Sequence, residues 1–401
     1  MTPRDGSVAE AAALADDAAD VLVGPESDVE PTLSVVLPTL NEEAGIAECI
    51  TRICAALDEL GLRGEVVVSD ASDDRTPEIA AAMGAVVVHP DQPGYGYAYQ
   101  YAFAHCRGEY IAMGDADTTY DFEELPKLFE HVRSGRADIA MGSRLAGEIR
   151  PDAMPPLHRY LGNPLLTRFL NIFYGTDVSD AHSGMRVFRR DVLAELELST
   201  TGMEFASEMI MAAGAADMVI EEEPITYYER EGEATLDSVQ DGWRHVRFML
   251  ENAPGYLFTA PGLAMLGVGL LVYALALLDV RVGPVGVGPH SVVAGSLSII
   301  LGLQTLSLGV FAKIAGDPVR APPDRLTGLL TENLTLEQTV VGGGLLVFAG
   351  AGYAVLTVGR WVASGFQALP LVDYDIMAMT AIVVGALVVF NAFLLSVIAD
   401  D

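Results

Sequence analysis

The chain has 401 residues, of which 51% are hydrophobic, and 55 acidic against 23 basic residues give it a formal net charge of −32. This length predicts two or three domains. Nucleic-acid binding requires a positively charged surface, so the charge argues against nucleic acid as a partner. Dense surface carboxylates keep a protein soluble in a high-salt cytosol, and the composition therefore indicates a halophilic archaeal source.

The N-terminal region and the cysteines both point to an intracellular domain. Residues 1–30 are acidic, rich in alanine and without the apolar core of a signal peptide, and we expect a disordered tail there. The cysteines Cys49, Cys54 and Cys106 form no C-x-x-C pair, which predicts buried, reduced thiols.

Residues 31–252 alternate short β-rich runs with helical patterns. Strands are predicted at Leu33–Leu37, Glu65–Ser69, Ala85–His89, Tyr110–Met113 and Ala137–Met141, and helices near 42–60, 76–83, 97–107 and 122–134. This alternation predicts an α/β domain, a mostly parallel sheet covered by helices on both faces. Ligands of such sheets bind beyond the carboxyl ends of the strands, so the polar residues after Leu37, Ser69 and Met113 mark the candidate site.

The character of the chain changes after residue 254. Four apolar segments follow, near 256–278, 292–315, 339–359 and 376–398. Each has about 20 residues or more, enough to cross a bilayer. A buried core helix would explain any one of them, but four in succession predict a transmembrane domain over 255–401, preceded by a globular domain over 31–238 and an amphipathic interface helix over 239–254.

Basic residues are distributed unevenly around the apolar segments. Arg244 and Arg247 precede the first segment, the connector after the second carries Lys313, Arg320 and Arg325, and the other two connectors carry Arg281 and Arg360. The positive-inside rule therefore predicts a multi-pass protein of the cell membrane with its globular domain in the cytoplasm. Gln304 and Asn391 lie within the spans, where they either line a lipid or ion path or, as we favour, bond between helices.

Asp115-Ala116-Asp117 follows the apolar run Tyr110–Met113 and is expected at the carboxyl end of a strand. Two carboxylates one residue apart at a strand exit can share a divalent metal, which would neutralise the diphosphate of an activated sugar. A polar turn is the alternative, because acidic residues favour turns. Asp70 at another strand exit, the basic residues downstream and the membrane anchor favour the metal interpretation.

Three further segments are candidates for ligand contacts. Asp70 could accept from a uracil or guanine N–H, or lie in a solvated turn. The loop 38–43 can reach a base or ribose, while Asn41 is a candidate cap for the next helix. Gly94-Tyr95-Gly96-Tyr97 lacks the third glycine of a dinucleotide fingerprint and a strand before it, so we expect a flexible lid or a close backbone approach.

Arg144, Arg186 and Arg230 occupy predicted loops in a chain that is poor in cations. Arginine matches phosphate oxygens in a bidentate fork, so these residues could hold an anionic acceptor or a leaving diphosphate. Surface pairing with nearby acids is the alternative for each of them.

Two apolar stripes at helical spacing could lie on the membrane surface or in the core. They are Leu165, Leu166, Phe169, Leu170 and Phe173, and then Val239, Trp243, Val246 and Leu250. For the second stripe, its position just before a span favours the interface.

Together these residues resemble family 2 glycosyltransferases, and specifically the polyprenyl (dolichol) phosphate hexose synthases, from about Leu33 to Pro254. The matching motifs are Leu37-Pro38-Thr39-Leu40-Asn41-Glu42, Gly114-Asp115-Ala116-Asp117, Gly142-Ser143-Arg144 and Ser183-Gly184-Met185-Arg186. A subgroup similar to dolichol-phosphate glucose synthases is also matched, at Ala153-Met154-Pro155, Leu157-His158-Arg159-Tyr160, Gly202–Glu208 and Asp241-Gly242-Trp243-Arg244-His245.

The resemblance implies a GT-A fold and an inverting transfer of glucose or mannose from a UDP- or GDP-hexose to dolichyl or polyprenyl phosphate. It implies Mg²⁺ or Mn²⁺ at Asp115 and Asp117, which with Arg144 are the candidate catalytic residues. The nucleotide sugar is expected at Pro38, Leu40, Glu42, Asp70, Asp115 and Ala116, and the acceptor phosphate at Arg144, Arg186 and Arg230. Membrane lipids are further expected partners, and the sequence leaves a homo-oligomer open.

Two positions depart from the family pattern. A lysine is usual where this chain has Thr235, so Arg230 is expected to act alone in that loop. The subgroup commonly has tryptophan after Met-Pro, where this chain has Pro156.

A lipid monophosphate has a second pKa near 6 and is already a nucleophile at neutral pH, so no general base is expected. Glu208 is the strongest candidate for such a base, and a structural acid on a helix is the alternative. The competing functions are a processive polysaccharide synthase, whose Q-x-x-R-W signature Gln240–Arg244 does not match in order, and a non-enzymatic flippase or scaffold.

Overall fold

A computed structural model describes residues 21–230, 238–253, 255–282, 285–315, 335–367 and 372–399. The chain divides into two compact units, Met1–Met249 and Leu250–Asp401. The division falls inside the helix that the sequence predicts at the membrane interface, between the α/β region and the apolar region. Thr235, Arg320 and Arg325 lie outside the described residues.

The first unit is built on a seven-stranded sheet. Its strands are β1 (Leu33–Thr39), β2 (Gly64–Asp70), β3 (Val86–Val88), β4 (Tyr110–Met113), β5 (Ile139–Ile149), β6 (Arg186–Arg189) and β7 (Ile220–Tyr227). They lie in the order β3-β2-β1-β4-β6-β5-β7, and all neighbours pair in parallel except β6, which is antiparallel to β4 and β5. The predicted α/β architecture with a mostly parallel sheet is confirmed.

Helices alternate with these strands and follow the last of them, up to residue 252. They are α1 (Ile46–Leu60), α2 (Thr76–Ala82), α3 (Tyr95–Phe103), α4 (Leu125–Arg133), α5 (Asn163–Tyr174), α6 (Val192–Leu196), α7 (Phe205–Ala215) and α8 (Ser238–Asn252). α1 buries a face at helical spacing that includes Ile46, Ile50 and Leu57, and it ends at Gly61, whose φ of 63° closes the last turn. The three cysteines are buried free thiols, as expected.

Residues 21–30 pack against the sheet, so the expectation of a disordered tail up to residue 30 is wrong for them. Leu22 and Val23 are buried, and the Val23 N–H donates to the Gly64 carbonyl at 2.7 Å. The Arg107 guanidinium also donates to the carbonyls of Gly24 and Ser27. Two apolar residues beside the edge of a sheet outweigh an acidic average composition. Residues 1–20 lie outside the described part.

Within the described residues, four helices of the second unit are long and apolar enough to cross a membrane, as predicted. They are α9 (Ala260–Leu277), α10 (Pro289–Ala315), α11 (Leu336–Ala363) and α12 (Val372–Ala399), with spans at Leu257–Leu277, Pro289–Ala312, Leu336–Ala363 and Val372–Ile398. A short hairpin, β8 (Arg281–Val282) and β9 (Val285–Gly286), lies between α9 and α10.

Glycines let these helices approach closely in pairs. A Cβ at Gly269 of α9 would lie 2.6 Å from the Gly295 carbonyl oxygen of α10, and a Cβ at Gly343 of α11 would lie 2.7 Å from the Gly385 carbonyl oxygen of α12. Small residues at such contacts are typical of membrane helix packing. At these glycines the backbones of the paired helices come into close contact.

A polar contact links α10 and α12 inside the apolar unit. The Asn391 side-chain amide donates to the Ser307 hydroxyl at 2.8 Å, so the predicted bonding between helices is confirmed for this residue. Gln304 stays a prediction, because its carbonyl oxygen is buried and has no partner among the described residues.

Candidate active site

The candidate site lies where the chain reverses direction across the sheet. β1 is flanked by β2 on one side and β4 on the other, with Thr39 opposite Asp70 in the register. Crevices at such switch points are the usual ligand sites of open α/β sheets. The loop after β1 and the Asp115-Ala116-Asp117 turn after β4 therefore face the same crevice, as the sequence predicts.

Asp70 is buried at the end of β2, so the solvated-turn interpretation is wrong. Its Oδ1 accepts from the hydroxyls of Thr39 at 2.8 Å and Ser72 at 2.6 Å, and its side chain is about fully enclosed, with the residue 2% exposed. These bonds join the ends of β1 and β2. A contact between Asp70 and a nucleobase stays a prediction.

The loop after β1 is pinned to the loop after β2. Asn41 has a left-handed φ of 62°, its N–H donates to the Ser72 hydroxyl at 2.8 Å, and its Oδ1 accepts from the Asp73 N–H at 2.9 Å. The predicted capping of α1 by Asn41 is therefore wrong, and Gly45 holds the cap position. Leu40 is 57% exposed beside this loop, where a ligand can reach it.

The two aspartates after β4 are each held by one oxygen. Asp115 Oδ1 accepts from the Tyr95 hydroxyl at 2.7 Å, and Asp117 Oδ1 accepts from the Thr119 hydroxyl at 2.6 Å. A Cβ at Gly184 would lie 3.0 Å from Asp115 Oδ2, so glycine leaves room there. A solvated turn does not fix its carboxylates in this way, and the pair is oriented before any ligand arrives.

Negative charge is concentrated in this crevice. Burial raises the pKa of Asp115 to about 6, and the charge of Asp117 adds to the shift. Burial likewise raises the pKa of Glu42 to about 7, against the opposing effect of Arg230. Asp115 and Asp117 lie close together with Arg230 as the neighbouring cation, and this excess of negative charge favours binding a cation.

Arg230 reaches the aspartates because the end of β7 is tied to their turn. Tyr227 bridges to Tyr120, and the Tyr228 N–H donates to the Thr119 carbonyl at 2.9 Å. The Arg230 guanidinium then lies 2.5 Å from Glu42 Oε1 and 3.6 Å from Asp117 Oδ2. The structure thus brings Arg230, Glu42, Asp115 and Asp117 together.

Arg144 and Arg186 have internal partners. The Arg144 guanidinium forms a fork on Asp180, with nitrogen–oxygen distances of 2.7 and 2.8 Å. Arg186 is fully buried and donates to the carbonyls of Ala181 and Ser183, both at 3.0 Å. Arg144 therefore pairs with an acid, as the alternative interpretation expected, but the pair is buried and not on the surface. The Arg186 guanidinium braces the backbone of 181–183, its remaining terminal nitrogen has no partner among the described residues, and its contact with the acceptor phosphate stays a prediction.

Glu208 is a structural acid. Its carboxylate accepts from the backbone N–H groups of Ser199 and Thr200, each at 2.9 Å, and from both of their hydroxyls. With four donors around it and no exposed surface, it has no oxygen left for a substrate proton. These bonds favour the structural alternative for Glu208, and transfer without a general base stays a prediction.

The Gly-Tyr repeat makes the predicted close backbone approach. A Cβ at Gly94 would lie 2.3 Å from the Thr201 carbonyl oxygen, and a Cβ at Gly96 would lie 2.4 Å from the Thr200 carbonyl oxygen. This packing sets the start of α3 and aims Tyr95 at Asp115. Tyr95, Gly184 and Asp180 contact the predicted site residues but were not predicted themselves. The Gly-Tyr repeat contains Tyr95 and the Ser183–Arg186 motif contains Gly184, whereas no sequence signal indicated Asp180.

The residues present fit a divalent cation that takes part of its coordination from elsewhere. Asp115 and Asp117 offer the oxygens that Mg²⁺ and Mn²⁺ prefer. No group of three or more His, Cys, Asp or Glu side chains is arranged to hold a metal within the described ranges. Mg²⁺ is commonly bound by one or two carboxylates together with substrate phosphates and water, which suits this pair.

The chain is similar to several solved structures, at low sequence identity. One is glucosyl-3-phosphoglycerate synthase from Mycobacterium tuberculosis in complex with Mn²⁺, uridine diphosphate and glucosyl-3-phosphoglycerate. It is 23% identical, with a TM-score of 0.44, over 62% of this chain and 84% of that chain. This similarity is too low for ligand positions to be transferred.

Comparison with family models and with known proteins identifies the family of this chain. Residues 34–197 match glycosyl transferase family 2, and residues 310–399 match the glycosyltransferase family 2 C-terminal transmembrane region. The chain is 54% identical over 381 residues to the low-salt glycan biosynthesis hexosyltransferase Agl6 of Haloferax volcanii, covering 95% of this chain and 92% of that protein.

Two further relatives match about half of this chain. The chain is 36% identical over 211 residues to a dolichyl-phosphate hexose transferase of Haloferax volcanii, covering 52% of this chain and 89% of that protein. It is 30% identical over 224 residues to a dolichol-phosphate mannosyltransferase of Pyrococcus furiosus, covering 53% of this chain and 62% of that protein. The sheet, the four apolar helices and these matches confirm the expected GT-A architecture, and the chain belongs to glycosyltransferase family 2.

Proposed function

We propose that this enzyme transfers a hexose, glucose or mannose, from a UDP- or GDP-sugar to dolichyl or polyprenyl phosphate with inversion, at the cytoplasmic face of the membrane. The observation that carries the proposal is the oriented pair Asp115 and Asp117 beside Arg230, in a chain that continues into four apolar helices. The names of the relatives, a dolichyl-phosphate hexose transferase and a dolichol-phosphate mannosyltransferase, support the same acceptor. A supply of lipid-linked sugar for protein glycosylation or cell-surface glycans would follow.

The residues of the crevice divide the work of binding. Asp115 and Asp117 would hold Mg²⁺ or Mn²⁺, which when bound stabilises the charge of the leaving nucleoside diphosphate. Arg230 would contact phosphate oxygens, since its guanidinium is partly exposed and lies beside the aspartates. We assign the nucleotide sugar to Pro38, Leu40, Glu42, Asp70 and Ala116, which lie at or just after the ends of β1, β2 and β4.

Arg144 would act on the acceptor phosphate through its charge, without direct contact. Its fork on Asp180 and its position 5.2 Å from the centre of the Tyr227 ring fix β5 against the end of β7. We propose that it contributes positive potential at the acceptor phosphate, and that direct contact would require Asp180 to release one of its two bonds. Arg186 would brace the adjoining loop.

No residue is needed to deprotonate the acceptor. A phosphate monoester with a second pKa near 6 is mostly dianionic at neutral pH and attacks the sugar without a general base. The four donors around Glu208 fit this mechanism, because they hold the strongest candidate base away from substrate. Positioning and charge stabilisation are then the main contributions of the protein.

An exposed apolar face of the first unit would contact membrane lipids. On α5 and the turn before it, Leu170 and Phe173 are buried, whereas Leu157, Tyr160, Leu161, Leu165, Phe169 and Ile172 are exposed. No acidic residue occurs from 153 to 176, although Arg159 and Arg168 do. Apolar side chains interleaved with cations suit an anionic lipid surface, and this face would bring the acceptor toward the crevice.

Labelled UDP-glucose and GDP-mannose, incubated with membranes that contain the protein, test the proposal. A chloroform-soluble, mild-acid-labile product that disappears on chelation of divalent ions is expected. A long polymer would indicate a processive synthase, hexose on a soluble alcohol would contradict the lipid acceptor, and no product would indicate a scaffold.

Vesicles of defined orientation test the sidedness. The basic residues around the spans support a cytoplasmic location of the first unit. Inside-out vesicles should therefore use added nucleotide sugar without permeabilisation, whereas right-side-out vesicles should need detergent. Equal use by both would contradict this orientation.

A further inference from the structure

We infer that Glu42 is a positioning residue: it draws Arg230 away from Asp117, so that Asp117 can accept a divalent cation. The inference rests on the proposed function for the cation itself. It assigns Glu42 a role toward another side chain, in addition to the nucleotide contact expected of its loop.

The Arg230 guanidinium lies much closer to Glu42 than to Asp117. One terminal nitrogen of Arg230 lies 2.5 Å from Glu42 Oε1, a short charged hydrogen bond. Its other terminal nitrogen lies 3.6 Å from Asp117 Oδ2, which is beyond hydrogen-bond length. Glu42 therefore holds Arg230, and Asp117 feels its charge without being bonded to it.

The backbone fixes the position of Glu42. Its N–H donates to the Thr76 hydroxyl at 3.0 Å, and its carbonyl accepts from the N–H groups of Gly45 and Ile46 at 3.1 and 3.0 Å. The residue is 8% exposed, so its carboxylate has little freedom to turn toward solvent. Arg230 is the side chain that adapts to this fixed partner.

Asp117 has only one oxygen to offer. Its Oδ1 already accepts from the hydroxyl and the N–H of Thr119, at 2.6 and 3.2 Å. The oxygen that remains, Oδ2, is the one that faces Arg230. If Glu42 did not hold the guanidinium, Arg230 and a cation would compete for the same oxygen.

A different role for Glu42 makes a different prediction. As a direct contributor of negative charge or as a ligand, Glu42 would support cation binding whether or not Arg230 is present. As a positioning residue, it would matter only while Arg230 is there to be held. A double-mutant cycle separates the two roles, because neighbouring residues that act through each other are not additive.

The experiment titrates Mn²⁺ into the purified full-length protein in detergent and concentrated KCl, which screens the surface carboxylates. Free Mn²⁺ is followed by electron paramagnetic resonance, and binding that persists in Asp117→Asn is subtracted. We expect Arg230→Gln to tighten Mn²⁺ binding. We expect Glu42→Gln to weaken it roughly tenfold in the wild-type background and less than about twofold in the Arg230→Gln background, within the range of coupled neighbours.

Glu42→Asp is the second variant, because it keeps the charge and shortens the side chain by one methylene. Positioning predicts weaker Mn²⁺ binding in this variant, again only when Arg230 is present, whereas a purely electrostatic role predicts no change. Thermal unfolding of each variant confirms that it is folded. Equal weakening by Glu42→Gln in both backgrounds would overturn the positioning role alone. Absence of Asp117-dependent Mn²⁺ binding in the wild-type protein would overturn the cation assignment as well.

Discussion

Asp117 has one oxygen bonded to Thr119 and one oriented toward Arg230, so its substitution should affect ligand binding more than folding. We expect Asp117→Ala to abolish hexose transfer while the amount of protein in the membrane fraction stays unchanged. Labelled-sugar transfer and immunoblotting of membranes measure the two quantities. Asp121→Ala is the matched control, because Asp121 caps the short turn Phe122–Glu124 and should cost only about 1 kcal/mol of stability. Retained turnover in Asp117→Ala would refute metal assistance through this pair.

Glu208 offers a test of the mechanism without a base. Glutamine in its place would put an NH₂ group against hydroxyl and backbone donors, so we expect a loss of about 1–3 kcal/mol in the free energy of unfolding. Turnover per folded molecule should remain substantial. Denaturant unfolding and transfer assays normalised to folded protein measure these effects. A fall in turnover beyond about 100-fold at unchanged stability would instead support acid–base catalysis by Glu208.

The sequence predicts those site residues that follow a strand directly. Asp115 and Asp117 stand out because hydrophobic runs locate strand ends, and parallel topology gathers those ends at one edge. Tyr95 and Asp180 could not be placed in the same way. Their positions depend on how α3 packs on residues 200–202 and on how β5 meets the loop before β6, and both contacts join segments that are far apart in sequence.

At the scale of elements, the start of α3 depends on glycine. An alanine at Gly96 would bring a Cβ within 2.4 Å of the Thr200 carbonyl oxygen and 2.8 Å of Phe205 Cβ. We expect Gly96→Ala to lower stability by about 1–3 kcal/mol and to weaken donor binding, since Tyr95 would shift relative to Asp115. Thermal unfolding and donor titration measure both effects. Gly24→Ala is the control, because no atom lies within 4 Å of its Cβ position. Equal effects of the two substitutions would contradict the packing argument.

Adjacent glycines of α11 give a matched pair in the membrane unit. A Cβ at Gly343 would approach the Gly385 carbonyl oxygen to 2.7 Å, whereas a Cβ at Gly344 would meet nothing within 4 Å. We expect Gly343→Ala to lower the thermal unfolding temperature in detergent by separating α11 from α12. Gly344→Ala should leave it unchanged or slightly higher, since alanine favours helix. A lower temperature for Gly344→Ala than for Gly343→Ala would refute the close pairing of these helices.

Whether a strand can be predicted here depends on how apolar its sequence is. β1 and β2 are buried on both faces and read as apolar runs, so their hydrophobicity reveals them. β7 begins Ile-Glu-Glu-Glu-Pro, a composition that disfavours strands, and it forms at the edge of the sheet, where proline is tolerated. β6 reads Arg-Val-Phe-Arg, in which two apolar residues between two arginines make no hydrophobic run.

At the scale of the whole molecule, the two-unit organisation is the most predictable feature. Mean hydropathy over about 20 residues decides whether a segment crosses a membrane, and this average is insensitive to the local packing that determines strand ends. The same insensitivity explains the error at residues 21–30. Leu22 and Val23 are two apolar residues in an acidic stretch, and the start of β2 and the core beside it make their burial favourable.

The net charge of −32 predicts a strong dependence of stability on salt. Self-repulsion destabilises a compact, highly charged chain, and screening relieves it as the Debye length falls from about 10 Å at 0.1 M salt to about 3 Å at 1 M. We expect the thermal unfolding temperature in a non-ionic detergent to rise steeply over this range of KCl and then to level off. Sucrose is the control, because it favours the compact state by exclusion from the surface without screening charge. If sucrose at equal osmolality reproduced the whole rise, or if KCl had no effect, self-repulsion among the carboxylates would not be what limits stability at low salt.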